Sequence, residues 1–243
     1  MAELKGEGDC PTCGKHFKNL ERHKCKVTDK PIKKAEKPVK VVNKSDDEQK
    51  VNDESRMLAP NDTYLSAGVH IGTKFRSKSM SDYIFKVRPD GLAILNVEKI
   101  DERLRDINNY LTNFKPSELL IVCKRDNATK PLKLLSMATG IKTITGRYLP
   151  GTMTNPNYDD FIEPKVVIIT DVWYDKQALT DAVKSGAVVI ALCNTNTAIS
   201  NVDVIMPCNN KGHKSLSLVY WIIARDYCKA NGLPFNYTLE QFS

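Results

Sequence analysis

The chain has 243 residues, enough for one large domain or a domain with an appendage, and its 36 Lys plus Arg against 29 Asp plus Glu give a formal net charge of +7. That balance, with a sequence pI near 8.9, leans toward polyanionic partners. No apolar run approaches the roughly 18 to 20 residues a membrane span needs, and the polar start Met1-Ala2-Glu3-Leu4-Lys5-Gly6 is no signal peptide, so a soluble intracellular protein is expected.

Residues 1–26 read as a small zinc-finger-like module. Cys10-Pro11-Thr12-Cys13-Gly14-Lys15 is a C-x2-C knuckle, in which Gly after the second Cys lets backbone amides turn toward the sulfurs. A knuckle supplies half of a tetrahedral structural site, and His23 and Cys25 supply the rest, with Phe17 and Leu20 as its small apolar core. Residues two apart on a helix face opposite sides, so a helix from about Lys18 must end near His23 for both ligands to reach one metal. His16 competes for the fourth position, and three chance cysteines in a basic tail are the alternative to any metal. Residues 27–56 form a charged linker with too little apolar surface to offset the entropy of ordering it. Eleven cations face three acids between Lys15 and Lys44, whereas Ser45 to Glu54 holds five acids against Lys50. This is a solvated tether or, in a sharper reading, a basic arm on nucleic acid.

From residue 57 to 243, short apolar runs alternate with amphipathic stretches. Leu92–Leu95, Leu119–Val122, Ile141–Ile144, Val166–Ile169, Val188–Leu192 and Val204–Met206 each have the length of a strand buried on both faces. Helices are expected over Val97–Phe114, Ala128–Gly140, Lys176–Ser185 and Ser215–Ala230. Ile100, Leu104, Ile107 and Leu111 recur at three- and four-residue spacing, and Gly140 and Gly186 stand where helix C-caps belong. The alternation predicts an α/β fold, a mostly parallel sheet with helices on both faces.

In such sheets ligands gather at the carboxyl ends of strands. Those loops contain no Gly-x-Gly-x-x-Gly and no Gly-Lys-Ser/Thr element, which argues against dinucleotide and P-loop phosphate sites. Asp171 and Asp175 suggest paired carboxylates, but Asp175 suits a helix N-cap and Asp171 a turn. His70 and His213 have no nucleophile that the sequence pairs with them. Cys123, Cys193, Cys208 and Cys228 lie in or beside apolar runs, as inert reduced thiols do. The chemistry that accumulates is basic and amide-rich. Lys74, Arg76, Lys78, Lys86 and Arg88 crowd beside Phe75, Tyr83 and Phe85, a combination of cations and aromatics suited to RNA. The long irregular loop Gly146–Pro156 offers Arg147, Thr152 and Asn155 as donors, and Asn209, Asn210, Lys211 and Lys214 lead into the last helix, whose N-terminal amides favour an anion.

In combination these segments resemble one family. Leu65-Ser66-Ala67-Gly68-Val69-His70-Ile71-Gly72-Thr73, Tyr83-Ile84-Phe85-Lys86-Val87-Arg88-Pro89-Asp90-Gly91, Ile144 through Pro156 and Asn209-Asn210-Lys211-Gly212-His213-Lys214-Ser215-Leu216 are similar, in order, to the signature segments of the small-subunit ribosomal protein two family. The resemblance covers roughly Tyr64 to Lys229. It implies a Rossmann-like three-layer α/β/α domain at the junction of head and body of the small subunit, bound to small-subunit rRNA and neighbouring ribosomal proteins in the cytoplasm, with no enzymatic activity. Only Asn157 to Glu163 stands where the bacterial branch inserts a coiled coil, and the acidic C-terminal tail of animal relatives is missing, which resembles the archaeal branch. Two departures stand out. Where that branch commonly has Asp-Pro-Arg-Ala-Asp, this chain has Asp171-Val172-Trp173-Tyr174-Asp175, losing an Arg and gaining two aromatics. After Lys124 and Arg125, which join the expected RNA-contacting set, the usual Gln-Arg before Pro131 is Thr129-Lys130, and Lys cannot fork to a phosphate as Arg does. The rival readings are an α/β enzyme holding a sugar phosphate or nucleotide, and a ribosome-free, zinc-containing nucleic-acid binder.

Overall fold

The computed structural model describes residues 57–242 and the backbone of two short strands, β1 (Gly8–Asp9) and β2 (His16–Phe17). The chain divides into two units, residues 1–44 and 45–243. In the first, β1 and β2 pair antiparallel, Gly8 opposite Phe17 and Asp9 opposite His16. The zinc-ligand set Cys10, Cys13, His23 and Cys25, and the linker, lie outside the described residues.

In the second unit five parallel strands form the central sheet, in the order β6 (Lys142–Thr145), β5 (Leu119–Cys123), β7 (Val166–Ile169), β8 (Val188–Cys193), β9 (Val204–Pro207). Strand alternation divides these runs cleanly between two cores. Ile121, Ile168 and Ile190 point into one, and Leu120, Val122, Val167, Ile169 and Val189 into the other. Each fully buried Leu, Ile or Val is worth about 1.5–3 kcal/mol of transfer free energy, so registry is strongly specified.

The two faces are covered unequally. α2 (Val97–Leu111), α3 (Thr129–Thr139) and α5 (His213–Ala230) line the first with Leu104, Leu132 and Leu218. On the second, one helix, α4 (Lys176–Ser185), contributes Ala178, Leu179 and Ala182. Met80 from a short 3-10 helix (Lys78–Tyr83), with Tyr148 and Met153 from the irregular segment after β6, completes that side. The placement of α3 and α4 follows from handedness. β5-α3-β6 and β7-α4-β8 step in opposite directions along the sheet, so right-handed crossovers put α3 and α4 on opposite faces.

Two expectations are corrected. The Leu92–Leu95 run does not join the parallel sheet: β4 (Ala93–Leu95) pairs antiparallel with β3 (Ile84–Val87) in a separate ribbon, closed by a turn in which Gly91 N–H donates to Arg88 O at 2.9 Å. Lys86-Val87-Arg88 therefore lies on a strand and its turn, not in a loop. Ile141–Ile144 is not buried on both faces either; β6 is an edge strand, and its Lys142 is exposed. A helix the periodicity did not reveal, α1 (Asn61–Ala67), ends at Gly68, whose φ of +69° lies in the left-handed region. Its buried Tyr64 hydroxyl donates to Asp101 Oδ1 at 2.9 Å, and Leu58 N–H and Arg105 also bond this buried carboxylate. A last short helix, α6 (Leu239–Phe242), buries Phe242 against the first core. No helix among the described residues is long and apolar enough to cross a membrane.

Gly72 sits where α1's exit approaches the ribbon. A Cβ there would stand 2.6 Å from Thr195 Cγ2 and 2.7 Å from the Ala93 carbonyl oxygen, and the backbone atom cannot swing aside. Gly72→Ala should therefore destabilise the fold by about 1–3 kcal/mol; an unchanged midpoint in urea unfolding would contradict this packing.

Candidate nucleic-acid interface

The chain reverses its direction of sheet growth between β5 and β7, and the crevice beyond their carboxyl ends is where α/β sheets hold ligands. The residues there are largely occupied with one another. Arg125 Nε donates to Asp171 Oδ2 at 2.9 Å, and its guanidinium lies 4.2 Å from the Tyr174 ring centre. Asp171 Oδ1 accepts from Trp173 N–H at 3.0 Å, so Asp171 is a turn residue with an ionic partner. Asp175 occupies the N-cap position of α4 as expected, yet its side chain does not cap; Oδ1 accepts from Lys124 N–H at 3.0 Å across the crevice. Burial pushes the Asp175 carboxyl up from 3.8 to about 7, with the Asp171 charge adding to the rise and the Asp171 and Lys124 amides opposing it.

The thiols are no better suited to chemistry. Burial pushes Cys123 up to about 11 and Cys193 up to about 12, far from the thiolate a nucleophile needs, and Cys208 rises further. All four core cysteines are free and buried. His70 keeps a buried Nδ1 without a hydrogen-bond partner, and burial lowers its affinity for a proton.

The expected RNA-contacting residues divide by exposure. Lys74, Arg76, Lys78, Lys86 and Arg88 are all exposed, as are Phe75 and Phe85 at 80% and 73%. Thr195, after β8, fastens this basic segment to the sheet: its hydroxyl accepts from Thr73 N–H at 2.8 Å, and its carbonyl accepts from Ser77 N–H at 2.7 Å. Lys124, Arg147, Asn155, Lys211 and Lys214 are also exposed. Arg147 lines a separate cleft of about 490 Å³ with Lys142, Tyr158 and Asp160.

Others in that set are committed internally. Thr152 is buried and its hydroxyl donates to Leu149 O at 2.7 Å. Asn210 is buried, and its Nδ2 donates to Leu192 O at 3.2 Å and Thr170 O at 3.4 Å, bridging the ends of β8 and β7. Asn209 Nδ2 donates to Gly68 O at 3.1 Å and Oδ1 accepts from Lys211 N–H at 3.2 Å. Arg125 is half-buried and held by Asp171 and Tyr174. Asn and Thr signal hydrogen-bonding capacity in a sequence, but only tertiary structure decides whether backbone or a ligand uses it.

A doubly wound α/β domain whose crevice carboxylates are engaged by Arg125 and backbone amides, and whose exposed cations ride on a ribbon and loops, presents surface charge rather than a catalytic constellation. Residues 64–160 and 158–230 match the ribosomal protein S2 family, and the chain belongs to it. It is 47% identical over 176 residues to the small ribosomal subunit protein uS2 of Nanoarchaeum equitans, covering 72% of this chain and 88% of that protein. It is 45% identical over 194 residues to the protein of the same name from Methanococcus maripaludis strain C5, covering 78% and 87%. Membership identifies a structural, non-enzymatic ribosomal protein.

The raised Asp175 value makes a stability prediction. A carboxyl held above its unfolded value adds stability that is fully present below about pH 4 and lost as pH rises through about 7. Asp175→Asn keeps an acceptor for Lys124 N–H and carries no charge. Its stability relative to wild type should rise by a few kcal/mol between acid and mildly alkaline pH, because each tenfold change in proton affinity on folding is worth about 1.4 kcal/mol. Parallel denaturation profiles for the two proteins would refute it.

Proposed function

We propose that the chain binds small-subunit rRNA chiefly through backbone phosphates, and neighbouring ribosomal proteins, as a structural constituent of cytoplasmic ribosomes at the junction of head and body. The observation that carries this is the β3–β4 ribbon and its lead-in. Five exposed cations and two exposed phenylalanines project from a segment that Thr195 pins to the sheet. Cations fixed on a rigid frame neutralise phosphates at low entropic cost, and aromatics beside them suit unpaired bases. Lys124, Arg147, Lys211 and Lys214 add charge from other loops, which favours recognition of RNA shape over base sequence. The rival enzymatic reading finds Asp171 neutralised by Arg125 and Asp175 engaged by backbone and burial. Arg76→Ala, Lys78→Ala and Arg88→Ala should each weaken rRNA binding and flatten its dependence on log salt concentration by about one in slope, as loss of one phosphate contact does. Slopes unchanged in all three would overturn the assignment.

We also propose that residues 1–26 hold a structural zinc through Cys10, Cys13, His23 and Cys25, which lie outside the described residues. The spacing supports this, and so does the strand pairing: β1 ends at Asp9 and β2 begins at His16, so the knuckle falls in sequence between two paired strands. Among the described residues no cluster of three or more His, Cys, Asp or Glu is placed to hold a metal. Elemental analysis of full-length protein, purified under reducing conditions without chelators, should find about one zinc per chain, lost in Cys10→Ser and retained in His16→Ala. Metal-free wild type would end this reading.

A further inference from the structure

We propose that the crevice beyond β5 and β7 seats one unstacked nucleotide of single-stranded RNA, its base on the exposed Trp173 ring and its phosphate against Lys211 and Arg125. The proposal rests on the RNA-binding reading above and adds to it a particular site and a stacking residue.

Trp173 is 70% exposed and Tyr174 54% exposed, next to each other in sequence at the mouth of the crevice, while Val172 beside them faces the core. An indole left in water forgoes the burial that makes tryptophan useful in a fold. The turn that carries it is nevertheless fixed, because the Trp173 backbone N–H donates to Asp171 Oδ1 and Asp171 is itself held by Arg125. Arg125 lies against Tyr174, so aromatic, guanidinium and carboxylate form one braced unit, and seating a ligand there orders little that is not already ordered.

Trp173 lines two clefts. One, of about 360 Å³, is also lined by Arg125, Tyr174, Asn196 and Lys211; the other, of about 330 Å³, is shared with Val172, Leu179 and Ala198. Both lie near the lower end of the roughly 300–1,000 Å³ typical of small-ligand sites, a size suited to one nucleotide rather than a duplex. The first cleft supplies what a nucleotide needs. Lys211 is an exposed cation, Arg125 retains Nη1 donors beyond those given to Asp171, and Asn196 offers a side-chain amide for a base edge. Cations flanking a single aromatic wall match phosphate and base together, whereas a protein hot spot is an aromatic anchor within a largely apolar core. The crevice adjoins the ribbon, since Thr195 binds the ribbon's lead-in and the next two residues, Asn196 and Thr197, line the cleft. A strand lying on the ribbon's cations thus has its neighbouring nucleotide within reach.

The chain has two tryptophans, so Trp221→Phe leaves Trp173 as the only indole emitter. Titrating that full-length variant with an oligoadenylate hexamer should quench Trp173 emission saturably. Measured by anisotropy of the labelled hexamer, Trp173→Ala should weaken binding about 5- to 150-fold, the range of one base–aromatic stack, and Trp173→Phe should recover part of it. Lys211→Ala should weaken binding and lower the salt slope. Emission unchanged by the hexamer, or affinity unchanged in Trp173→Ala, overturns the proposal. Equal quenching by adenosine monophosphate makes the crevice a free-nucleotide site, and quenching by an acidic peptide but not by the hexamer makes it a protein contact; either result also overturns it. Cosedimentation with small subunits separates the two levels. If wild type comigrates and Trp173 emission is indifferent to RNA, the crevice proposal alone falls; if wild type does not comigrate, the RNA reading beneath it falls.

Discussion

A parallel sheet joined by crossovers must be dry on both faces, and here three helices cover one face and a single α-helix covers the other. Loops must therefore serve as core. Tyr148 and Met153 from the long segment after β6, with Met80 from the 3-10 helix before β3, close the second face. Asp181 on α4 ties that segment down, accepting from Tyr148 Oη at 3.2 Å and from Gly151 N–H at 3.3 Å. The same constraint explains why Thr152 is buried: a loop that seals a core spends its polar groups on its own backbone.

This rigidity has a functional side. A surface that neutralises phosphates gains least when its lysines and arginines ride on mobile chain, because ordering them on binding consumes part of the attraction. The ribbon is hydrogen-bonded along β3 and β4, Gly72 N–H donates to Ala93 O at 2.9 Å, and Thr195 joins its lead-in to β8. The exposed cations stand on a scaffold whose freedom has already been surrendered during folding.

How far the sequence carried depended on which force positioned each residue. Where burial decides, the pattern was legible: Val166–Ile169 and Lys176–Ser185 fall where expected, because an uninterrupted β-branched run and a Gly-terminated amphipathic repeat leave little alternative. Where pairing decides, it was not. Ala93-Ile94-Leu95 is as apolar as a sheet strand, and nothing local says that its partner is Ile84–Val87 rather than β5. α1 is short and carries one buried side chain, Tyr64, so it offers little periodicity, and its anchor is the distant Asp101. The exposed lysines and arginines of the candidate interface were visible as charge. Asn209 and Asn210 looked like ligand-binding amides, and their engagement with Gly68, Thr170 and Leu192 depends on long-range contacts that no local pattern encodes.

The crevice is organised around one buried carboxylate. Asp171 is almost wholly buried, and a buried carboxylate needs an ionic or hydrogen-bonded partner. Arg125, from the end of β5, meets that charge, and breaking a buried pair by removing one partner costs about 3–5 kcal/mol, so the contact is a structural requirement. Tyr174 then stacks on one face of the guanidinium, adding a cation–π contact to the pair. With Asp171 satisfied from β5, Trp173 has no charge to balance and no core position to fill. Its ring is left 70% exposed at the carboxyl end of the sheet, a surface that packing of the core does not call for.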